Sequence, residues 1–371
     1  MHINFVIPCL LGLERPIADE LLVMEAENVQ CENGRVLFEG NENMLARANI
    51  CSRFAERIQV LVGTFSAHSF DELFEGTKAL PWEHWVGKTD AFPVKGYSLD
   101  SELFSVSDCQ SIIKKAVVER LKQTHKLPWF EETGALYQIQ FSIMKNQVSL
   151  LIDTSGAGLH KRGYRPVANA APLKETLSAA LCQFARLRDF HTLYDPMCGS
   201  GTILIEGAML ANNIAPGLHR NFTAELWRQV PPGIWKEERE RAKSLEKTET
   251  YFRAIGSDID PKSLAIAKEN VKRAGLEHII SFKKRDIADF SPETEKGTVI
   301  INPPYGERLL DLDAAHEIYK TMGKVLTAKR GWSYYIITAD DDFEKHFGKK
   351  ADKRRKLYNG MLKCQLYMYF K

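Results

Sequence analysis

Hydrophobic and polar positions follow two different patterns along this chain of 371 residues. Over residues 1–155, short strands are interspersed with amphipathic helices, and Asn33-Gly34 between two strands is typical of a tight hairpin. The longest helix is predicted over Val106–His125, where Ile113 and Leu121 lie on an apolar stripe and lysines lie outside it. Such a mixture of short units indicates an α+β region. The other elements predicted here are strands over Ile3–Ile7, Leu61–Ala67, Ala91–Tyr97, Ala135–Lys145 and Gln147–Asp153, and helices over Glu14–Met24 and Asn41–Cys51.

From about residue 171 onward, buried strands end in polar residues and are followed by helices. This alternation predicts an α/β fold with a mostly parallel, doubly wound sheet. Asn359-Gly360 near the C-terminus predicts an antiparallel hairpin. The strands are predicted over Thr192–Tyr194, Ile280–Asp286 and Thr298–Ile301 and from Ala254 onward, and the helices over Thr202–Leu210 and Pro261–Ala274.

The most informative segment is Asn302-Pro303-Pro304-Tyr305, which follows the predicted strand Thr298–Ile301. Two prolines cannot continue a strand ladder, so an amide, two prolines and an aromatic ring stand at the carboxyl end of a strand. Ligands bind at that edge of open α/β sheets. The alternative interpretation is a strand that passes into a proline-rich turn. Asn-Pro-Pro-Tyr in this place resembles the clamp that holds the target amine in N-methyltransferases of nucleobases. The resemblance implies catalytic roles for Asn302, Pro303 and Tyr305, with Asn302 also beside the cofactor.

A second motif, Asp195-Pro-Met-Cys-Gly-Ser-Gly-Thr202, lies between a predicted strand and a predicted helix. A strand, tight turn and helix together bring backbone N–H groups and a helix N-terminus up to a ligand, and glycines are needed where a Cβ would collide with it. The spacing is neither G-x-G-x-x-G nor Walker A. The motif resembles the S-adenosylmethionine loop of class I methyltransferases, whereas the alternative is an ordinary β–α turn. The resemblance implies cofactor contacts from Asp195, Pro196, Cys198, Gly199 and Gly201.

Two further predicted strands end in acidic residues. Asp258 follows the strand that begins at Ala254, and an acid there can accept both ribose hydroxyls of a nucleoside cofactor, as in dinucleotide-binding folds. Asp260 is predicted as the N-cap of the next helix, and the alternative is that both acids are caps. Asp286, at the end of Ile280–Asp286, could bind the adenine amino group.

The junction between the two patterns is the basic segment His160-Lys-Arg-Gly-Tyr-Arg165. Cations can contact phosphates and an aromatic ring can stack on an unpaired base. The alternative interpretation is a solvated linker. Lys353–Lys356 is a weaker candidate for phosphate contacts, because it flanks the C-terminal hairpin. RNA-binding roles are predicted for His160, Lys161, Arg162, Tyr164 and Arg165.

Composition narrows the class of protein only a little. Hydrophobic residues make up 44% and charged residues 26%, as in ordinary globular proteins, and the length predicts more than one domain. A net charge of +2 neither requires nor excludes nucleic acid. The seven cysteines are scattered without C-x-x-C spacing, so no metal site and no disulfide framework is expected. Reduced thiols and the lack of a membrane-spanning stretch favour a cytoplasmic location.

The N-terminal region resembles a THUMP domain preceded by a small ferredoxin-like module. Over Asp153–Arg165 and Ala171–Leu177 the sequence matches the domain junction of bacterial large-subunit rRNA guanine-N2 methyltransferases. The resemblance covers essentially the whole chain and corresponds to the N-terminal half of the fused RlmKL-type enzymes, so the activity of their second half is expected to be absent. It implies a ferredoxin-like module over 1–60, a THUMP RNA-binding domain over 61–155, a linker over 156–170 and a Rossmann-like class I methyltransferase domain over 171–371.

This resemblance implies methyl transfer from S-adenosylmethionine to the exocyclic N2 of a guanine in 23S rRNA, with S-adenosylhomocysteine as product. Three alternatives remain open. A tRNA guanine-N2 enzyme would share both halves, and an adenine-N6 DNA methyltransferase would share the clamp. A non-enzymatic RNA-binding protein would not need an intact cofactor loop and clamp. No membrane partner is expected, and the insertion Asn212–Thr250 has no assigned role.

Overall fold

A computed structural model describes residues 2–166, 173–305, 312–326 and 330–370. The chain forms two compact units, and the division between them is not serial. A segment that follows the predicted cofactor loop in sequence belongs to the first unit together with most of the N-terminal residues. The first unit comprises Met1–Pro8, Ala18–Leu159 and Arg220–Arg241, and the second comprises Cys9–Ile17, His160–His219 and Ala242–Lys371.

Seven strands form the sheet of the first unit: β1 (Ile3–Pro8), β2 (Glu27–Glu32), β3 (Arg35–Gly40), β4 (Gln59–Ser66), β5 (Val94–Leu99), β6 (Ile139–Met144) and β7 (Gln147–Asp153). Their order is β2-β3-β1-β4-β7-β6-β5, and only β5 and β6 run parallel. The helices of this part of the chain are α1 (Glu14–Val23), α2 (Glu42–Cys51), α3 (Phe70–Ala79) and α4 (Val106–His125). The α+β prediction is confirmed, although α3 was not predicted. Its start carries a recognisable signal, since Ser69 Oγ accepts from the Glu72 N–H and the Glu72 carboxylate accepts from the His68 N–H.

The second unit also has a seven-stranded sheet, formed by β8 (Thr192–Asp195), β9 (Arg253–Asp258), β10 (Ile280–Lys284), β11 (Gly297–Ile301), β12 (Trp332–Thr338), β13 (Lys353–Asn359) and β14 (Leu362–Tyr369). Their order is β10-β9-β8-β11-β12-β14-β13. Strands β8 to β12 are parallel, and β14 runs antiparallel to β12 and to β13. The predicted α/β fold with a C-terminal antiparallel hairpin is therefore confirmed.

The helices in this half of the sequence are α5 (Glu175–Phe184), α6 (Thr202–Ala211), α7 (Pro232–Ser244), α8 (Pro261–Arg273), α9 (Leu312–Val325) and α10 (Phe343–Phe347). None of the helices in the described ranges has the length and apolar character that crossing a bilayer requires.

The centre of the second sheet is where the strand order reverses, between β8 and β11. These strands are parallel neighbours, with Val299 opposite Tyr194. Residues Val299 and Ile301 are fully buried and belong to a core cluster that includes Tyr319 of α9 and Ile336 of β12. Because the carboxyl ends of parallel strands meet at one edge, the segments after β8, β9, β10 and β11 lie at the edge where such folds bind ligands.

The insertion Asn212–Thr250 contributes its middle part to the first unit. The Trp227 indole stacks on Tyr137, with ring centroids 4.6 Å apart, and its Nε1–H donates to the Leu136 carbonyl at 2.9 Å. Glu238 is buried and lies 2.9 Å from Arg47 Nε. Lys236 of the charged helix α7 is exposed, whereas Glu238 of the same helix is buried. The sequence could not reveal this packing, because the contacts join residues about a hundred or more positions apart.

Candidate active site

Asn302 follows the last residue of β11 and carries an unsatisfied polar atom. Its Oδ1 is buried and has no hydrogen-bond partner among the described residues. A buried carbonyl oxygen without a partner costs free energy, which is why such an atom in a native structure calls for a functional explanation. Since Pro303 follows, the backbone of Asn302 is confined to the extended region. The backbone that carries this acceptor is therefore restricted at the ligand-binding edge.

Tyr305 is anchored to the C-terminal hairpin through its hydroxyl group. Asn359 Nδ2 donates to the Tyr305 hydroxyl oxygen at 3.3 Å. Burial raises the pKa of Tyr305 well above its usual value, so the phenol stays protonated. The described residues thus place Asn302, Pro303 and Tyr305 together at the end of β11, with Pro303 buried and Tyr305 half-buried.

The loop after β8 is a tight turn that leads directly into α6. The Gly201 N–H donates to the Cys198 carbonyl at 2.7 Å, and Gly199 and Gly201 both have left-handed backbones, with φ of 49° and 80°. Helix α6 begins at Thr202 with Gly201 as its N-cap, so no side chain covers its first N–H groups. Free amides at a helix N-terminus favour an anionic or hydrogen-bond-accepting group of a ligand.

Two predicted cofactor residues in this loop have inward-facing roles. Cys198 donates its backbone N–H to the Ser257 carbonyl at 2.9 Å, and the Ser257 hydroxyl donates to the Pro196 carbonyl at 3.4 Å. Both contacts bind the loop to β9. Burial raises the pKa of the Cys198 thiol well above its ordinary value, so the thiol stays protonated. Pro196 and Cys198 therefore shape the loop from within.

Acidic groups end the two strands that form the other side of the site. Asp195, the last residue of β8, is buried and accepts from the Met197 N–H at 3.2 Å. Burial, with a smaller contribution from the charge of Asp258, raises the pKa of Asp195 to about 8. Asp258 accepts from the Gly199 N–H and from the Asp260 N–H, each at 2.9 Å. Each carboxylate oxygen retains a second lone pair, so Asp258 can still accept ribose hydroxyls.

The remaining two acids have local roles that the structure makes plain. Asp260 accepts from the Lys262 and Ser263 N–H groups, both at 3.0 Å, and its predicted role as the N-cap of α8 is confirmed. Asp286 lies just beyond β10 and accepts from the Ala288 N–H at 2.9 Å. Asp286 is only half-buried, so its outer oxygen remains a candidate acceptor at the same sheet edge.

Three of the five junction residues that were predicted to bind RNA have buried side chains that form contacts within the second unit. Arg162 and Tyr164 are buried against Glu206 of α6: Arg162 Nε lies 3.4 Å from Glu206 Oε1, and the Tyr164 hydroxyl donates to the same oxygen at 2.9 Å. Arg165 donates to Thr202 Oγ1 at 3.0 Å and lies 2.9 Å from Glu175. These side chains are occupied because α5 and α6 carry buried acids that require compensating partners.

The two other junction residues differ from these three. Lys161 is exposed and His160 is half-buried. The acids Glu206 and Glu175 were missed by the sequence reasoning, although Glu206 sits in the apolar run Thr202–Ala211. A single charged residue in an otherwise apolar helix indicates a buried ion pair.

The fold and the site define a class I methyltransferase. Its methyltransferase domain matches the family described as "RMKL-like, methyltransferase domain" over residues 162–368. An RlmL ferredoxin-like domain matches over residues 4–59, and a THUMP domain over residues 67–153. The chain belongs to the RMKL-like methyltransferase family and carries these two domains before the catalytic one.

Relatives of this chain match it over nearly its whole length. A Bacillus subtilis (strain 168) protein named "Putative RNA methyltransferase YpsC" is 43% identical over 97% of this chain and 94% of its own. The crystal structure of a protein from Listeria monocytogenes, described as a predicted N6-adenine-specific DNA methylase, is 44% identical. It covers 100% of this chain and 96% of its own with a TM-score of 0.94. A further structure, that of SMU.472, is described as a putative methyltransferase complexed with SAH. It is 39% identical and covers 100% of this chain and 98% of its own with a TM-score of 0.94.

S-adenosylmethionine is the cofactor of this chain, and the residues present fit it. The turn after β8 leads into the start of α6, whose N–H groups have no side-chain cap in the described part of the chain, and Asp258 and Asp286 offer acceptors at the ends of the next two strands. The Asn302 oxygen, which has no partner among the described residues, lies beyond β11 at the same edge. The described residues contain no group of three or more His, Cys, Asp or Glu side chains placed to hold a metal ion.

Proposed function

We propose that this protein transfers a methyl group from S-adenosylmethionine to the exocyclic N2 of a guanine in RNA, and specifically in the 23S rRNA of the large ribosomal subunit. The observation that carries the proposal is the buried Oδ1 of Asn302 at the topological switch point, which has no partner among the residues that the structure describes. An unsatisfied acceptor at this edge fits a substrate that brings N–H donors, and an exocyclic amine brings two.

The clamp, which is the segment Asn302–Tyr305, would make the target nitrogen more reactive. The nitrogen of an exocyclic amine is a poor nucleophile because its lone pair is delocalised into the ring. When bound, the cofactor supplies a methyl group activated by a sulfonium. Asn302 Oδ1 and the Pro303 carbonyl accept the two amine hydrogens, which favours a tetrahedral nitrogen whose lone pair points at the methyl carbon. The same acceptors stabilise positive charge as it develops on the nitrogen.

The methyl donor is the one co-reactant that this methyl transfer needs for its electrons and protons to balance. The nitrogen lone pair forms the new N–C bond, the C–S bond breaks, and its electrons remain on sulfur as a neutral thioether. The methylated nitrogen then releases one proton to water. A base that is paired in its RNA would first have to be extruded, and the Tyr305 ring would stack on the extruded base.

The first unit is proposed to hold the RNA. Its THUMP match and the RNA methyltransferase name of the Bacillus relative support this role. Because three junction residues are buried, further contacts are proposed on the first unit, beyond those predicted for the exposed Lys161 and the half-buried His160. Trp129 is 77% exposed, and the exposed Lys126 lies three residues before it, just after α4. An exposed aromatic ring beside a cation can stack on a base and contact a phosphate.

The proposed roles of the first unit in RNA binding and of the second unit in methyl transfer have to be tested on the full chain. A protein that began at Arg165 would lack Arg162 and Tyr164, the partners of Glu206. It would also lack Tyr137, the partner of Trp227 in the first unit. Loss of cofactor binding in such a fragment would report misfolding, because a buried acid and a large indole would both lose their partners.

The proposed function is tested with labelled S-adenosylmethionine and separate pools of rRNA, tRNA and DNA from cells that lack this protein. We expect label in large-subunit rRNA, and nucleoside mass spectrometry should identify it as N2-methylguanosine. Label in tRNA as N2-methylguanosine would preserve the chemistry and overturn the rRNA assignment. Label in DNA as N6-methyladenine would overturn the target base, as the name of the Listeria relative would suggest.

A further inference from the structure

A fully buried tyrosine lies beneath the clamp and contacts its backbone. Tyr319, on α9, has its hydroxyl 3.2 Å from the Pro304 carbonyl oxygen. The same hydroxyl lies 3.1 Å from Oγ1 of Thr338, the last residue of β12, which is also fully buried. Thr338 Oγ1 in turn accepts from the Asp340 N–H at 3.1 Å. Two hydrogen bonds therefore connect Thr338 to the clamp after β11, and a third holds the Thr338 hydroxyl at the end of β12.

The direction of these bonds follows from their two ends. The Asp340 N–H can only donate and the Pro304 carbonyl can only accept. The simplest arrangement that satisfies both hydroxyls has Thr338 donating to Tyr319 and Tyr319 donating to Pro304. Burial raises the pKa of Tyr319 to about 12, so the donor proton is present at neutral pH. Hydrogen bonds aligned in one direction in a buried place strengthen one another.

The contact fixes a torsion that the two prolines leave open. Proline rings lock φ of both Pro303 and Pro304, and the residue before a proline is confined to the extended region. The torsions that remain soft are the ψ angles. Holding the Pro304 carbonyl fixes ψ of Pro304, and this angle sets the direction in which Tyr305 leaves the clamp.

We propose that Tyr319, held by Thr338, is a positioning residue for methyl transfer: it fixes the Pro304 carbonyl and thereby the alignment of the target amine with the methyl donor. This inference rests on the proposed function. It predicts an effect on the rate of the bound complex rather than on binding, since the Tyr319 hydroxyl is buried and already hydrogen-bonded to Pro304 and Thr338.

A second buried tyrosine provides a matched control. The Tyr369 hydroxyl donates to the Lys349 carbonyl at 3.2 Å, and Tyr369 is 2% exposed. Tyr369→Phe thus removes the same kind of bond from the same unit, away from the clamp. Tyr319→Phe and Tyr369→Phe should lose similar thermal stability, so a rate effect confined to Tyr319→Phe cannot come from general destabilisation.

The first measurement needs no substrate. Of the 12 tyrosines in the chain, only Tyr305 follows a proline, so protein labelled with carbonyl-¹³C proline and ¹⁵N tyrosine gives one cross-peak linking the Pro304 carbonyl to the Tyr305 amide. We expect this peak to shift in Tyr319→Phe and Thr338→Val, and to stay in place in Tyr369→Phe. Thr338→Ser keeps the hydroxyl and should restore the wild-type position.

The second measurement is steady-state methylation of rRNA from cells that lack this protein, with calorimetry of S-adenosylhomocysteine binding. Tyr319→Phe should lower kcat roughly three- to tenfold, the effect of one net hydrogen bond, with KM for RNA and the cofactor Kd unchanged. Thr338→Val should lower kcat similarly, and the double variant should be no worse than the more impaired single variant. Tyr369→Phe should keep the wild-type kcat.

The two measurements distinguish failure of the positioning role from failure of the proposed function. An unshifted cross-peak in Tyr319→Phe, or equal kcat in Tyr319→Phe and Tyr369→Phe with an active wild-type enzyme, overturns the inference and leaves the proposed function standing. A wild-type enzyme that methylates no nucleic acid overturns the proposed function. The proposed effect of Tyr319 on the methylation rate is then overturned as well. A raised KM or Kd at unchanged kcat would assign Tyr319 to binding and likewise overturn the positioning role.

Discussion

Asp258 accepts a hydrogen bond from the backbone N–H of Gly199 at 2.9 Å, across 59 positions of sequence. The bond joins the acid at the end of β9 to the glycine loop after β8. The two cofactor motifs are therefore one physical unit, in which the loop conformation and the acid's orientation depend on each other. Substitutions in the loop are expected to affect both folding and cofactor affinity.

Gly201→Ala should weaken S-adenosylhomocysteine binding and also lower stability. Gly201 has φ of 80°, and a Cβ there would lie 3.3 Å from the Ala267 Cβ. A non-glycine residue in this region costs about 1–3 kcal/mol. The positive φ and the close approach to Ala267 mean that a larger residue would disturb the fold as well as the ligand site.

Gly348→Ala is the matched control, since Gly348 also has φ of 80° and a Cβ there meets nothing within 4 Å. It should lose comparable stability in urea unfolding and keep the wild-type cofactor affinity in calorimetry. Equal cofactor affinity in the Gly201 and Gly348 variants would contradict the role of the loop.

Asn302→Ala should abolish most turnover while the cofactor Kd changes little. Loss of a preorganised polar group at a reacting centre lowers the rate by about 10²-fold or more. Asn302→Asp keeps an acceptor oxygen at the same reach and should retain more activity than Asn302→Ala. Single-turnover methylation and calorimetry check both variants, and near-normal turnover in Asn302→Ala would remove the clamp role.

Arg162→Ala should lower stability by about 3–5 kcal/mol, because it leaves Glu206 buried beside no guanidinium. Arg162 and Glu206 side chains are 2% and 1% exposed. Combining Arg162→Ala with Glu206→Gln should recover part of the loss, since the buried charge is then removed with its partner. Urea unfolding of the four proteins in the double-mutant cycle measures this coupling. If the single variant instead unfolds normally and loses RNA affinity, the junction contacts RNA after all.

Stability should depend on pH through Asp195. Its pKa is about 8 in the folded protein and near 4 in the unfolded chain, so between these values only the folded state holds the proton. The contribution of Asp195 to stability is therefore full below about pH 4, declines as pH rises, and is lost above about pH 8. Asp195→Asn mimics the neutral acid and should gain stability relative to wild type between about pH 5 and pH 8.

Urea unfolding at several pH values compares this variant with Asp260→Asn, whose parent acid has a pKa lowered by its capping bonds to α8. The Asp260 variant should show no relative gain over that range. A constant difference between Asp195→Asn and wild type at every pH would show that Asp195 stays ionised in the folded protein.

Lys126→Glu and Trp129→Ala should weaken binding of rRNA fragments to the full chain and leave the cofactor Kd unchanged. Lys126→Glu should also reduce the salt dependence of binding by about one phosphate contact. Lys345→Glu, an exposed lysine on α10, is the control. Filter binding over a salt series measures all three variants, and unchanged affinity in the first two would exclude this surface as the RNA contact.

Local signals in the sequence were sufficient for strands β8 to β11, for helices α6 and α8 and for the motifs at the strand ends, whereas α5, α9, α10 and β12 were not predicted. The strand ends at Asp195, Asp258 and Asn302 could be located because prolines, glycines and capping acids have strong local preferences that tertiary context rarely overrides. Parallel topology then brings such ends to one edge of the sheet. Candidate functional residues at the ends of neighbouring strands can therefore be identified from the sequence alone.

Only the tertiary structure decided which polar side chains form ion pairs and hydrogen bonds inside the protein instead of contacting RNA. In sequence, Arg162, Tyr164 and Arg165 form a basic, aromatic cluster suited to RNA, yet Glu206, Glu175 and Thr202 occupy them. The contact of Trp227 with Tyr137 is equally invisible in a local pattern. Pairing of this kind depends on distances between residues far apart in the chain, and residue type alone carries no such information. For the same reason Tyr319, an unremarkable helical residue in the sequence, was found beneath the clamp only in three dimensions.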